Sequence, residues 1–544
     1  MASWGTISCA AAAATVLLLM LRGIDPAASA PVSIDPINCL DSGLKCCPPP
    51  SSKEIVDFKP DSQPSPLRIR RPAHTLDSEA AQKYEKAIAL MRALPQDHRW
   101  NFIQQSNVHC AYCSRGHVQL GTKNHTIEIH GSWHFFTWHR AYLYFYERIL
   151  GKLINDASFA IPFWNWDDLA GMSIPTIYRD NTSSLFNPTR FPAALNFTDL
   201  GGCQGDGTPG SLDKQKLCNL QVMHRQFAAA SNSTSIFFGG ALRAGGSFPG
   251  GGPIENSPHS PVHISTGADM SQISKSGYDP LFIAHHSNVD RLWAIWEGIP
   301  GDSSKVIADP DFLDASFLFW DENLERVRIR VRDVIDHRKL GYVYQDVPLK
   351  WMDIKTKVEG ETSIRTAQDL ARQYPVGKLN FPLRLRSAAK VNVRRTASRG
   401  EKLVVSDIEL DGRDYVWFDV YVSRGDGGGR AQAGCFIHME RRSDKKIPII
   451  TKTQIGIADV IKQIGAATDD WIVVTLQPKV GGDKAKEHNI VFQALYNSTQ
   501  PVQAIVCEVE GFGDPWLFLE KALCRRDDST CSLLRKSDLG TRCE

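Results

Sequence analysis

The chain has 544 residues, 42% of them hydrophobic and 22% charged, a balance that excludes a disordered or fibrous protein and leaves room for two or more domains. Lys plus Arg number 62 and Asp plus Glu 60, so the net charge of +2 gives no electrostatic footing for nucleic acid or an acidic membrane surface. A small-molecule partner is expected.

Residues 10–21, AAAAATVLLLML, are apolar but shorter than the roughly 20 residues a spanning helix needs, and the small-residue-rich RGIDPAASAP follows. This reads as a signal peptide over 1–30, leaving no membrane anchor in the mature chain. Thirteen cysteines and five Asn-x-Ser/Thr triplets, at Asn124, Asn181, Asn196, Asn232 and Asn497, lean towards the secretory pathway, with vacuole or exterior as destination and the thylakoid lumen as alternative.

Residues 31–75 are rich in Pro and Ser and hold Cys39, Cys46 and Cys47, the marks of an extended arm that must be stapled to something. From 76 to 155, and again over 280–300, apolar residues recur at spacings of three and four, which predicts helices. The Gly-, Pro- and Asn-rich stretch 165–255 reads as loops over a helical core. A mainly α domain is therefore expected over 76–355. A basic linker is expected over 356–402, with Arg384, Arg386, Lys390, Arg394, Arg395 and Arg399 open to trypsin-like proteases. YVWFDVYVS, WIVVTLQPK, NIVFQALYN and AIVCEVEG then predict a smaller all-β sandwich over 403–515, before a tail, 516–544, with Cys524, Cys531 and Cys543.

The histidines crowd into two places. One holds His109, His130, His134 and His139; the other holds His259, His263, His285 and His286. His259 and His263 stand at i and i+4, so on a helix their rings share a face and could share a metal. In VHCAYCSRG, Cys110 and Cys113 alone would read as half of a zinc site, which needs a second ligand pair. Imidazole suits zinc, copper, iron and nickel alike, while two triads without carboxylates argue against magnesium or calcium. The Glu of a His-Glu-x-x-His peptidase is also missing. A facing pair of redox metals is the better expectation.

HCAYC, HGSWHFFTWHRAYLYFYERIL, PFWNWD, SPHSPVH and DPLFIAHHSNVDRLW together resemble the plant polyphenol oxidases, type 3 copper proteins that include catechol oxidases, tyrosinases and aurone-forming relatives. GYVYQDVP resembles the family's tyrosine motif, with Arg71 in RIRRPAH matching its arginine partner. YVWFDVYV resembles the C-terminal domain, although the usual Lys-Phe-Asp-Val is here Trp417-Phe418-Asp419-Val420. The resemblance implies a helix bundle with long loops around two copper ions, held by His109, His130 and His139 and by His259, His263 and His286, with His134 and His285 left as non-ligands. It implies a small phenolic substrate and dioxygen as partners, and oxidation of o-diphenols to o-quinones, with aurone-type ring closure or monophenol hydroxylation as alternatives. An oxygen carrier is disfavoured by the plant-type thioether pattern and the C-terminal domain.

The resemblance also gives His109, Cys110 and Cys113 three different fates. His109 is a copper ligand, Cys110 pairs with Cys46, and Cys113 joins the ring of His130 through a thioether; Cys39 pairs with Cys47. A Cys46–Cys110 bridge closes a loop of about 65 residues, worth on the order of 4 kcal/mol in the chain-entropy model. Glu255 and Asn256 align with a pair that orients a water to deprotonate a phenol, and could equally cap a helix. Ile273, with Ser260 and Ile264, is the expected substrate gate. The C-terminal domain would cover the site until a protease cuts the linker, which makes the chain a latent proenzyme.

Overall fold

The computed structural model describes residues 30–40, 43–60, 66–203, 211–230, 233–300, 305–354, 383–385, 388–395, 401–425, 428–441, 446–479, 491–492 and 494–498. The expected signal peptide, the strand AIVCEVEG and the cysteine-containing tail lie outside them. Among the described residues, no helix is long and apolar enough to cross a membrane.

The first domain is built on helices α1 (Ser78–Ala93), α2 (Phe102–Cys113), α3 (Phe135–Leu153), α4 (Ser211–Ala230), α5 (Ser260–Thr266) and α6 (Leu281–Gly298). Local chemistry sets their ends. The Asp77 side chain accepts the Ala80 N–H at the start of α1, and Asn101 does the same for Ile103 at the start of α2. Pro95 follows the last turn of α1, where no helix can continue. Most residues of α3 and α6 are buried all round, so these two form the centre of the bundle rather than its surface.

Helix α4 corrects the expectation of loops over 165–255. Glycine and proline on its N-terminal side, Gly201 to Gly210, dominate the composition of that region, yet SLDKQKLCNLQVMHRQFAAA is itself rich in helix formers and runs for 20 residues. A bond between Cys203 and Cys218 ties it to the loop before it.

The arm is stapled at three points. Strand β1 (Ile34–Cys39) pairs with β3 (His117–Gln119), Cys39 is bonded to Cys47, and Cys46 to Cys110 on α2. Strand β2 (Arg68–Arg70) lies parallel to β6 (Tyr342–Tyr344), while β4 (Ser316–Trp320) and β5 (Arg326–Arg330) form a hairpin beside them in sequence. The β2–β6 pairing corrects the arginine of the tyrosine motif. Alternation along β2 turns Arg68 and Arg70 inward together, so Arg70, not Arg71, meets the tyrosines. Its guanidinium lies 3.6 Å from the Tyr342 ring centroid and donates to the Tyr344 hydroxyl at 2.9 Å. Arg71 is half-exposed and pairs with Asp77 at 2.8 Å.

The second domain consists of two antiparallel sheets. One has the order β10 (Arg430–His438), β9 (Val416–Arg424), β12 (Trp471–Pro478), β7 (Ala389–Arg394). In the other, β8 (Lys402–Asp411) runs between β11 (Pro448–Gly456) and β13 (Ala494–Ser498). Strand β7 shortens the expected linker: Val391 and Val393 alternate with polar residues and pair across β12, so 389–394 belongs to the sandwich. The period of two sorts β9 cleanly. Phe418, Val420 and Val422 enter the sandwich core, while Trp417 stands opposite Ile437, and Asp419 opposite Cys435, on the outer face. That face lies against the helical domain, where Ile264 packs on Trp417, Cys435 and Ile437. The lysine that the Lys-Phe-Asp-Val pattern lacks at 417 is supplied across the strand, since Lys479 Nζ sits 3.1 Å from Asp419.

Candidate metal centre

Four segments bring the histidines together. His109 comes from the last turn of α2, His130 from the loop before α3, and His139 from the second turn of α3; His259 and His263 flank the start of α5, and His286 lies on α6. The donor atoms of His109, Cys113, His130 and His139 all fall within 4.8 Å of one another, as do those of His259, His263, His285 and His286. The two groups face each other. His139 and His286 stack with ring centroids 4.0 Å apart, and His130 and His259 at 5.9 Å.

Five of the six rings are turned by a bond at the far nitrogen, while His286 Nδ1 is buried without a partner. His139 Nδ1–H donates to the Phe135 carbonyl at 2.7 Å, His259 to the Glu255 carbonyl at 3.1 Å, and His263 to the Met270 carbonyl at 2.8 Å. His109 Nδ1 meets Ser276 Oγ at 3.3 Å, and His130 Nδ1 meets Glu128 Oε1 at 3.2 Å. A proton fixed on Nδ1 leaves the lone pair on Nε2. The Nε2 atoms of His109, His139 and His259 are buried with no hydrogen-bond partner, and those of His263 and His286 face each other at 3.3 Å. Burial pushes His109, His139, His259 and His286 well below the ordinary imidazole value, and His263 down to about 3, so these rings are neutral electron-pair donors. Converging lone pairs with nothing to accept them are costly unless a cation sits between them, and this donor set fits two soft-to-borderline metal ions.

His285 shares the second group's geometry but not its chemistry. Its Nδ1 accepts the Trp166 indole N–H at 3.1 Å, which puts the ring proton on Nε2 and leaves neither nitrogen a free lone pair. His134 likewise accepts from Trp133, at Nε2 and 2.7 Å, and stands apart from both groups. Cys110 is bonded to Cys46 and cannot serve a zinc site with Cys113, whose buried thiol is unbonded.

The other predicted residues lie around this centre. Glu255 Oε1 accepts the Gly131 N–H at 2.6 Å, while Oε2 is buried without a partner; burial, against that hydrogen bond, pushes the carboxyl up to about 8. Asn256 donates to the Gly252 carbonyl at 3.2 Å and accepts the Ile437 N–H of the second domain at 3.4 Å. Ser260 turns its hydroxyl onto the Glu255 carbonyl at 2.9 Å. Ile273 is buried, and its carbonyl accepts from Ser276, the residue that holds His109.

Residues 99–299 match the family described as "Common central domain of tyrosinase", 307–357 the "Polyphenol oxidase middle domain" and 381–493 the "Chloroplastic Polyphenol Oxidase C-terminal domain". A chloroplastic polyphenol oxidase from Malus domestica is 41% identical over 474 residues, covering 81% of this chain and 79% of the relative. The chain belongs to the plant polyphenol oxidases. Aureusidin synthase from Antirrhinum majus is 40% identical over 485 residues, covering 82% of this chain and 84% of that one. The structure of latent apple tyrosinase superposes with a TM-score of 0.73 at 40% identity, over 82% of this chain and 99% of that one. This polyphenol oxidase is thus a type 3 copper enzyme for two copper ions, and it oxidises phenols.

The family corrects the expected destination. The apple relative and the C-terminal domain family are both described as chloroplastic, which points to the plastid and its thylakoid lumen rather than to the vacuole or exterior. An apolar run followed by small residues is a hydrophobic export signal whichever membrane it crosses, and Asn-x-Ser/Thr triplets also arise by chance, so neither identifies the compartment.

Sequence reasoning missed Glu128, Met270 and Ser276, which hold three of the rings, and the phenylalanines between them. Phe135 lies 4.9 Å from His139 and 4.7 Å from His259; Phe282 lies 4.7 Å from His109 and 4.4 Å from His286. A signal existed only for Phe135, whose carbonyl is four residues before His139 on the same helix.

Proposed function

We propose that this polyphenol oxidase oxidises o-diphenols to o-quinones, two diphenols being consumed for each dioxygen reduced to two waters, and that it is made latent. The observation that carries this reading is the pair of facing imidazole sets with their lone pairs turned inward. His109, His130 and His139 would hold one copper; His259, His263 and His286 would hold the other. His285 fails as a ligand because Trp166 takes its Nδ1 lone pair and its Nε2 then carries the proton, and it serves to pack against its neighbours. When bound, the copper pair supplies the electron transfer between phenol and dioxygen.

The protein's part is to orient these rings, exclude water and handle the phenol proton. Glu255 has one oxygen anchored by Gly131 and the other unpartnered. Once ionised, which with the carboxyl pushed up to about 8 is favoured as pH rises towards that value, that second oxygen would accept a phenolic proton through a water held with Asn256. Asn256 gives its amide oxygen to Ile437 in this state, so the water site is complete only when the second domain withdraws. Ile264 is covered by the same domain, while Ile273 and Ser260 border the rings from loop and helix; the three form the substrate gate. Latency follows from this cover. Strand pairing engages the backbone at Arg384, Lys390 and Arg394, while Arg386 and Arg399 lie outside the described residues. The expected cut in the basic linker therefore falls at Arg386 or Arg399, or within 355–382, also outside the described residues, where Lys355, Lys357, Arg365, Arg372 and Lys378 offer trypsin sites. Limited trypsin should raise the rate of quinone formation from catechol severalfold; a rate unchanged by cutting there would remove the cover. Running the same assay with tyrosine and a hydroxychalcone separates diphenol oxidation from monophenol hydroxylation and from the ring closure that the likeness to aureusidin synthase raises.

We read Cys113 as the partner of His130 in a thioether, a reading supported by donor atoms within 4.8 Å of each other; the Sγ–H and one ring C–H would give way to an S–C bond, with dioxygen taking up the two hydrogens as peroxide. The peptide pair carrying both residues should then stay joined after reduction and weigh two hydrogens less. A free Cys113 that alkylates in copper-loaded protein would exclude the link.

A further inference from the structure

His139, His259 and His263 are oriented by backbone carbonyls of their own domain, but His130 is not. Its backbone N–H and ring Nδ1 both meet Glu128 Oε1, at 3.1 and 3.2 Å. The other oxygen of that carboxylate faces Arg441, whose Nε lies 3.3 Å and terminal nitrogen 3.2 Å away. Arg441 belongs to the second domain, three residues beyond β10, where its backbone N–H donates to the Gly412 carbonyl at 2.8 Å. Glu128 is 2% exposed and Arg441 7%, so the pair spans the domain interface out of reach of bulk water. On the arginine side, the guanidinium also meets the His438 ring at 3.1 Å and lies 5.0 Å from the Phe248 ring centroid, contacts that fix its direction.

We propose that Arg441 is a positioning residue for the first metal site, acting from the covering domain through Glu128 on His130. A buried carboxylate is tolerated when a cation and hydrogen bonds compensate it. Without Arg441, Glu128 turns to whatever donor or water restores its solvation, and the His130 ring, even when tied to Cys113 through one carbon, loses the acceptor that sets its tautomer. Groups that orient a metal ligand in this way are worth roughly 10- to 100-fold in metal affinity. In the second site, His259 and His263 are anchored instead on the Glu255 and Met270 carbonyls of their own domain. The covering domain would then have a second task besides blocking the entrance, which is to steady the His130 ring while the chain is latent.

The proposal rests on His130 being a ligand of the first site. The test dialyses copper-loaded full-length protein against a fixed concentration of chelator and follows copper per chain by metal analysis. Wild type should hold two coppers, while Arg441→Gln should fall to one about tenfold faster and then pause there. Arg441→Lys, which keeps the charge, should fall between them. The double variant Glu128→Gln with Arg441→Gln should regain retention, since a neutral amide accepts from His130 and needs no counter-ion. Arg441→Gln that keeps both coppers as long as wild type, or loses both together, overturns the proposal, as does a double variant no better than the single. His130→Ala separates the two levels. If it still binds two coppers, the ligand reading fails; if it binds one while Arg441→Gln keeps two, only the role of Arg441 fails.

Discussion

Replacing His263 by alanine should leave one copper per chain and lower phenol oxidation by about 10³-fold, the loss expected when a metal's several kcal/mol of transition-state stabilisation disappears. His263 stands one turn after His259 on α5, its Nδ1 is spent on Met270, and its Nε2 comes within 3.3 Å of the same atom of His286. Among the described rings around it none is spare: His259 and His286 are expected ligands themselves, His285 has its Nδ1 lone pair taken by Trp166, and Phe282, 5.9 Å away between centroids, has no donor atom. Alanine is a good helix former, so α5 should persist and the circular dichroism spectrum should match wild type. Two coppers per chain in the purified variant, or activity within tenfold of wild type, would dismiss His263 as a ligand.

Replacing Asp290 by alanine should destabilise the helical domain by about 3–5 kcal/mol, the cost of breaking a buried charge pair from one side. Asp290 on α6 accepts from Tyr342 at 2.6 Å and from Arg140, and lies 3.3 Å from Arg70. It joins α3, α6, β2 and β6 at one point. Arg140 and Arg70 would be left buried around a hole, with Glu147 the remaining carboxylate beside Arg70 at 2.8 Å. Burial alone would raise the Asp290 carboxyl, but Arg140 and Arg70 outweigh it and hold the group below its ordinary value. A depressed carboxylate contributes stability that is present above its unfolded value, about 4, and lost as pH falls through the folded one. The variant should therefore unfold at lower urea than wild type at pH 7, with the gap narrowing below about pH 4. A midpoint shift worth under about 1 kcal/mol at pH 7 would mean that the network does not carry this load.

The division into a helical part and a β part was legible because it rests on period, and period is a property of neighbouring residues. The clustering of histidines was legible for the same reason, as His259 and His263 share a face whenever that segment is helical. Where local signals competed, the reading slipped. Glycines and prolines before α4 outweighed the helix formers inside it, and the basic residues of 383–402 masked the Val391 and Val393 alternation of β7. Arg71 was chosen over Arg70 because two adjacent arginines look alike until a strand turns one inward.

The amino-acid order by itself determined the two histidine clusters suited to a pair of metals, since these follow from residue types at short spacings, and the likeness of its motifs to a known family named copper. Only the tertiary structure decided which partner meets the Nδ1 of His139, His259 and His263, that Trp166 donates to His285, and that Glu128 is matched by an arginine 313 positions away. The last two depend on bonds between residues far apart in the chain, where spacing says nothing about distance and a ring's tautomer is set by whichever partner folding brings to its other nitrogen.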